Sequence, residues 1–177
     1  MRLHTDRVTT TIALLRLTGL TAGAADEADR QLFVGGERCA ACHNGLPAPD
    51  GTEISFGDDW SGSMMANAAR DPYWQAAVRR ELLAHPMAAA AIEHECAACH
   101  MPMSRFEAKA AGGHDGVFAH LAPAGEPNRA DQLALDGVSC SVCHQIGADG
   151  LGEESSFTAG FEIDRELPLG SRHVYGP

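Results

Sequence analysis

The six cysteines of this chain fall into one pattern used three times: Cys39-x-x-Cys42-His43, Cys96-x-x-Cys99-His100 and Cys140-x-x-Cys143-His144. Two thiols at this spacing reach both vinyl groups of a haem and form thioethers. The histidine that follows lies under the porphyrin, where its imidazole ligates iron on the proximal side. The spacing therefore predicts three covalently attached haem c groups. Cys39, Cys42, Cys96, Cys99, Cys140 and Cys143 are the attachment residues, and His43, His100 and His144 the proximal ligands. No cysteine is left over.

Other cysteine chemistries fit less well. A zinc site takes four ligands, so three Cys-x-x-Cys pairs leave one unpaired, and zinc has no need of histidine after every second cysteine. A thioredoxin-like redox motif belongs in a βαβ context, which the pattern does not offer. Disulfides suit an exported chain but leave the triplicate histidine unexplained.

What faces each iron from the other side decides function. A second His gives a low-potential carrier, Met raises the potential, and an open face makes a catalytic site. The candidate distal ligands are Met65, His114, His120 and His173. His114 and His120 lie in a glycine-rich stretch between two motifs, where the chain can bend an imidazole over a neighbouring ring. His173 ends a long cysteine-free tail that can fold back as a lid. Met64, His85 and His94 are weaker candidates. His85 suits a helix C-terminus, and His94 is too near Cys96 to cap its own haem. Met101 and Met103 follow His100 so closely that packing against a haem suits them better.

The elements that must position these groups are short. Residues 25–38 read as a linker and 44–59 as a loop. Ser61 to Ala69, rich in Ala and Met, reads as helical. Asp71-Pro72 starts a helix, with Asp as cap and Pro in its first turn. Trp74, Val78 and Leu82 form one apolar stripe on it, and Pro86 ends it. Met87 to Glu95 carries helix formers into the second motif. Residues 112–128, with four Gly and two Pro, read as a loop. Asn128 to Leu135 suits a short helix and Ser155 to Ile163 a hairpin. First cysteines are 57 and then 44 residues apart, so the motifs are not a regular repeat. The expected fold is mainly α with extensive loops, its short helices wrapped around a packed cluster of three c-type haems.

At 177 residues the chain is one domain with a leader. Arg2 and Arg7, the apolar run Val8 to Leu20 and the small residues Ala22-Gly23-Ala24 suit a secretion signal over 1–24, leaving 25–177 as the cytochrome domain. Haem c is attached outside the cytoplasm, so a periplasmic or extracellular location follows. No integral membrane segment is expected after signal removal. The net charge is −11, and losing Arg2, Arg7, Arg16 and Asp6 takes it to −13. Such acidity, with Lys109 the sole lysine, excludes nucleic acid and favours other redox proteins with basic surfaces, or further cytochrome subunits in an oligomer.

Trp60-Ser61-Gly62-Ser63-Met64-Met65-Ala66 resembles the Trp-x-x-Ser-x-His-Ala of multihaem c-type cytochromes in the group of the tetrahaem cytochrome of ammonia oxidisers. Met65 stands where that group has a distal His ligand. Asp71-Pro72, Cys96 to Met103 and Gly137 to Gln145 resemble a large bacterial branch of multihaem cytochromes, and the likeness spans about residues 36–177. Relatives there continue past the counterpart of Val174 to Pro177 into a further haem motif, which implies that this chain is the N-terminal part of a longer cytochrome. The resemblance implies electron transfer rather than enzymatic activity. The alternative is the haem-bearing part of a nitrogen-oxide or oxyanion oxidoreductase with one open haem.

Overall fold

The computed structural model describes residues 31–121 and 125–176; the expected leader, 1–24, lies outside them. The fold is mainly α. Its helices are α1 (Gly36–Ala40), α2 (Phe56–Ser61), α3 (Pro72–Ala84), α4 (Ala89–His100), α5 (Pro102–Ala110), α6 (Val117–Leu121), α7 (Arg129–Leu135) and α8 (Cys140–Cys143). Strands β1 (Leu46–Pro47) and β2 (Glu53–Ile54) pair antiparallel, Leu46 opposite Ile54.

Local chemistry sets the helix boundaries. The Asp71 carboxylate accepts the Tyr73 amide at 2.9 Å and Pro72 opens α3. The helix stops at Ala84, and Pro86 opens a single 3-10 turn before α4. Pro102 opens α5 immediately after α4. On α7, Asn128 and Asp131 form a capping box, each side chain accepting the other's backbone amide.

Two apolar clusters hold these pieces. One gathers Leu32, Phe33, Met103, Leu133, Val142 and Ile163. The other gathers Ala69, Val78, Ala97, Met101, Val117 and Ala134, with Trp74 and Leu82 packed against it. The Trp74–Val78–Leu82 stripe therefore seats α3 on α4. Phe33 is fully buried, and truncating it to Ala would cost about 3–5 kcal/mol. Polar ties fix the same stretch: Glu107 accepts the Leu32 and Phe33 amides, while Arg129 donates to both the Phe33 carbonyl and Glu107.

Five expectations change. The 25–38 linker is built into the core from Leu32 and Phe33 and starts α1 at Gly36. Ser61 to Ala69 forms successive turns after α2 instead of a helix, because its polar groups are bonded elsewhere: Asn67 Nδ2 donates to the Ser61 and Ser63 carbonyls, and the Met65 and Ala68 carbonyls accept from distant partners. Residues 44–59 contain the β1–β2 ribbon and α2. The 112–128 stretch contains α6. Ser155 to Ile163 is not a hairpin: it holds a 3-10 turn at Glu154–Ser156 and one isolated bridge, Ile146 to Ile163.

Candidate haem-binding site

Each motif sits on one helical turn, α1 into Ala41 for the first, the end of α4 for the second and α8 for the third. Positions i, i+3 and i+4 of a helical turn share a face, so both thiols and the imidazole of a motif project to one side. His43 and His144 donate their amides to the Cys39 and Cys140 carbonyls, both at 3.0 Å. In all three motifs the first cysteine is half-buried and the second exposed, and all six are free thiols. Burial pushes the thiols of Cys39, Cys96 and Cys143 up, with Cys140, Cys99 and Cys140 respectively adding to the effect. These sulfurs therefore keep their hydrogens at neutral pH.

The imidazoles are oriented by backbone. His100 Nδ1 lies 2.8 Å from the Ala68 carbonyl oxygen, and its ring stacks on Trp74 with centroids 4.1 Å apart and planes 4° from parallel. His144 Nδ1 bonds the Tyr175 carbonyl, and the Tyr175 amide donates back to the His144 carbonyl at 2.7 Å. A carbonyl only accepts, so Nδ1 carries a proton in both rings and Nε2 is the nitrogen turned toward a metal. His43 has the edge of Phe56 beside it, centroids 6.5 Å apart.

The first and third motifs meet: α1 packs on α8, and Cys140 lies near enough to Cys39 to help push its thiol up. Residues 60–70 tie the three motifs together. Trp60 Nε1 donates to the Val138 carbonyl at 3.0 Å, just before α8. A Cβ at Gly36 would lie 2.7 Å from the Trp60 ring, so glycine is required where α1 begins. The Met65 carbonyl accepts the Val138 amide at 3.0 Å, and Ala68 holds His100. Gly137 has φ +69°, and a Cβ there would stand 2.5 Å from the Met65 oxygen.

The candidate distal ligands are dispersed. Met65 is 53 % exposed and Met64 almost wholly so; the backbone of Met65 is fixed and its side chain is open to solvent. His114 is exposed, its ring edge-on to His94 with centroids 4.9 Å apart. His120 is buried, and both its nitrogens are engaged: Nε2 with Asp115 at 2.6 Å and Nδ1 with Asp131 at 2.8 Å. So held, it presents no free nitrogen to an iron. The Asp115 hydrogen bond raises the His120 imidazole above its usual value, outweighing burial, and Asp131 adds to the shift. Burial pushes the Asp115 carboxyl up, but His120 and Ser104 outweigh it and hold it low. Asp131 is held low by His120 and the Asn128 amide. The tail does fold back, but onto the Nδ1 side of His144, away from the nitrogen free for metal. The His173 ring is tilted against that of Tyr175, centroids 6.1 Å apart. His85 pairs with Glu81 one turn earlier on α3, at 3.8 Å.

Sequence reasoning missed the Trp74 stack, the Asp115–His120–Asp131 cluster and the Ala68 and Tyr175 carbonyls. Only Trp74 left a signal, as a member of the α3 stripe; the carbonyls belong to the backbone and leave none.

Three features suit a covalently held macrocycle: free thiols in triplicate on one helical face each, two imidazoles whose Nδ1 is held by a backbone carbonyl, and exposed apolar side chains such as Phe56, Met64, Met65 and Tyr73. Among the described residues no helix is long and apolar enough to cross a membrane. A family model described as cytochrome c554 and c-prime matches residues 38–145, more than half of the chain, starting just before the first motif and ending just after the third. No curated protein and no solved structure matches the chain.

Proposed function

The chain belongs to the cytochrome c554 and c-prime family, and from that premise we propose that it is an exported electron carrier with three covalent haem c groups. Family membership supplies the haem c electron-transfer cytochrome. The three-fold Cys-x-x-Cys-His, folded each time into the same helical turn, is the observation that supports the count.

In this reading the thiols of Cys39 and Cys42, of Cys96 and Cys99, and of Cys140 and Cys143 would each hold one haem through thioethers. His43, His100 and His144 would offer Nε2 to its iron. Bound haem supplies a one-electron ferric–ferrous couple. The protein's own part is to orient and tune. The Ala68 and Tyr175 carbonyls fix the tautomers of His100 and His144 and make each ring a stronger donor. Trp74 prevents His100 from rotating. The contact of the first motif with the third favours direct exchange between their haems. Met65, with its sulfur in the open, and His114 are the distal candidates that the surroundings leave available. Carboxylates around the site favour the ferric form, and a basic surface on a redox partner would complement the chain's charge.

Intact mass and a pyridine haemochrome assay on secreted protein test the proposal. Three haems per chain and a mature N-terminus near residue 25 are expected; two haems or fewer would sink the count. Electron paramagnetic resonance of the oxidised protein reads the distal ligands. Rapid carbon monoxide binding by the ferrous protein would point to an open haem and away from a pure carrier.

A further inference from the structure

The stretch that holds Tyr175 carries no haem motif, yet it is pinned at a buried point. Arg172 is 8 % exposed. Its Nε donates to the Leu167 carbonyl at 2.8 Å, and its Nη1 to the carbonyls of Gln31 at 3.1 Å and Leu32 at 2.9 Å. The Leu32 oxygen also accepts from Gln145 Nε2 at 3.1 Å, and that nitrogen donates in turn to the Ser141 carbonyl of α8 at 2.8 Å. A carbonyl oxygen has two lone pairs, and here they join Arg172 to the third motif. Ser141 ties in the same stretch, donating to the Val34 carbonyl at 2.7 Å and accepting the Val34 amide at 3.3 Å. Three residues beyond Arg172, Tyr175 shares two hydrogen bonds with His144. Gly176, at φ +144°, completes the fit, since a Cβ there would stand 2.9 Å from His144 Nδ1.

The His144 contact has little of its own to hold it. Val174 and Tyr175 are 78 % and 46 % exposed, and hydrogen bonds open to water contribute little by themselves. The buried guanidinium is the firm point: its hydrogen bonds are charge-assisted and closed from solvent. We propose that Arg172 is a positioning residue for the third haem. It fixes residues 172–176 to the third motif through the Leu32 carbonyl, so that the Tyr175 carbonyl stays on His144 Nδ1. A hydrogen bond given by Nδ1 makes the ring a stronger donor at Nε2 and favours the ferric state. Arg172 thus keeps that centre's potential low without touching the cofactor. This rests on the haem reading above, since without haem there is no potential to set.

The test uses the holoprotein with Arg172→Gln, Arg172→Lys and Gly176→Ala. Haems are counted first, potentials are followed by spectroelectrochemistry, and the Tyr175 amide by hydrogen exchange. Arg172→Gln should keep every haem and speed exchange of the Tyr175 amide by about tenfold. It should also lower the ferric-to-ferrous ratio of one haem about tenfold, a rise of about 59 mV in its midpoint. Gly176→Ala leaves Arg172 in place but drives Tyr175 off His144, and should raise the same midpoint. Arg172→Lys keeps the charge without the fork and should give a smaller rise. In protein lacking the third haem through Cys140→Ala with Cys143→Ala, adding Arg172→Gln should leave the remaining midpoints still. A shift there would overturn the proposal, as would equal shifts at every haem, or full haem content with unmoved midpoints. Native protein that carries no haem overturns the parent reading instead, so the two failures are told apart. Gly176→Ala keeps the test usable should Arg172→Gln fold poorly.

Discussion

The second and first motifs carry the same five-residue pattern in contrasting surroundings. His100 closes a twelve-residue helix, gives its Nδ1 proton to Ala68 and lies flat on Trp74. His43 follows a five-residue helix and has beside it Phe56, 57 % exposed. The pattern chooses the ligand atom; the surroundings decide how firmly it is aimed. One centre is pre-oriented by the polypeptide, and the other takes more of its geometry from what it binds.

The contrast can be broken at its root by removing the thiols. Cys96→Ala with Cys99→Ala, and separately Cys39→Ala with Cys42→Ala, should each lower the haem count by one, read by intact mass. The second-motif pair should lower the melting temperature more, because α4 packs on α3, α5 and α6. Equal losses of stability would erase the distinction. Trp74→Ala comes next. It should cost about 2–3 kcal/mol, below the range for fully buried Trp because the ring is half-buried. It should also broaden the His100 ring resonances, visible by NMR.

A smaller effect is expected from acidity. Asp115, His120 and Asp131 lie on and beside α6 and α7, and α6 packs on α4, so they support the second motif's side. The His120 imidazole is raised on folding, so its contribution is complete below the unfolded value of about 6.5 and fades as pH climbs through the folded one. Asp115 and Asp131 are held low, so theirs is complete above about 3.9 and fades as pH drops through the folded values. The melting-temperature gap between native protein and His120→Gln should therefore be widest between about pH 4 and 6.5. A gap flat from pH 3 to 9 would show that the cluster does not titrate with folding. Smallest of all, Phe56→Ala should change stability by about 0.5 kcal/mol or less and leave the first haem's spectrum in place. A large change there would make the two motifs alike after all.

Local signals were legible in the chain and distant ones were not. The Asp71-Pro72 start, the Trp74–Val78–Leu82 stripe and the short helix after Asn128 depend on residues within two turns of one another, and each lies where the sequence places it. Residues 61–69 misled because alanine content speaks for helix while two of their carbonyls, those of Met65 and Ala68, are claimed from far along the chain. The six thiols and three motif histidines could be read from spacing alone. The engagement of His120 could not, since Asp115 and Asp131 reach it from opposite sides of a glycine- and proline-containing stretch. Nor could the carbonyls that Arg172 holds.

Residues 60–70 brace three binding positions, and two of the bracing atoms are the carbonyl oxygens of Met65 and Ala68. Replacing either side chain leaves those oxygens where they are. In the proposed trihaem reading, with Met65 as a distal ligand, exchanging methionine for histidine at 65 would alter the thermodynamic drop between neighbouring centres without altering the span an electron must cross. Driving force and distance become separately adjustable settings of one short stretch of backbone.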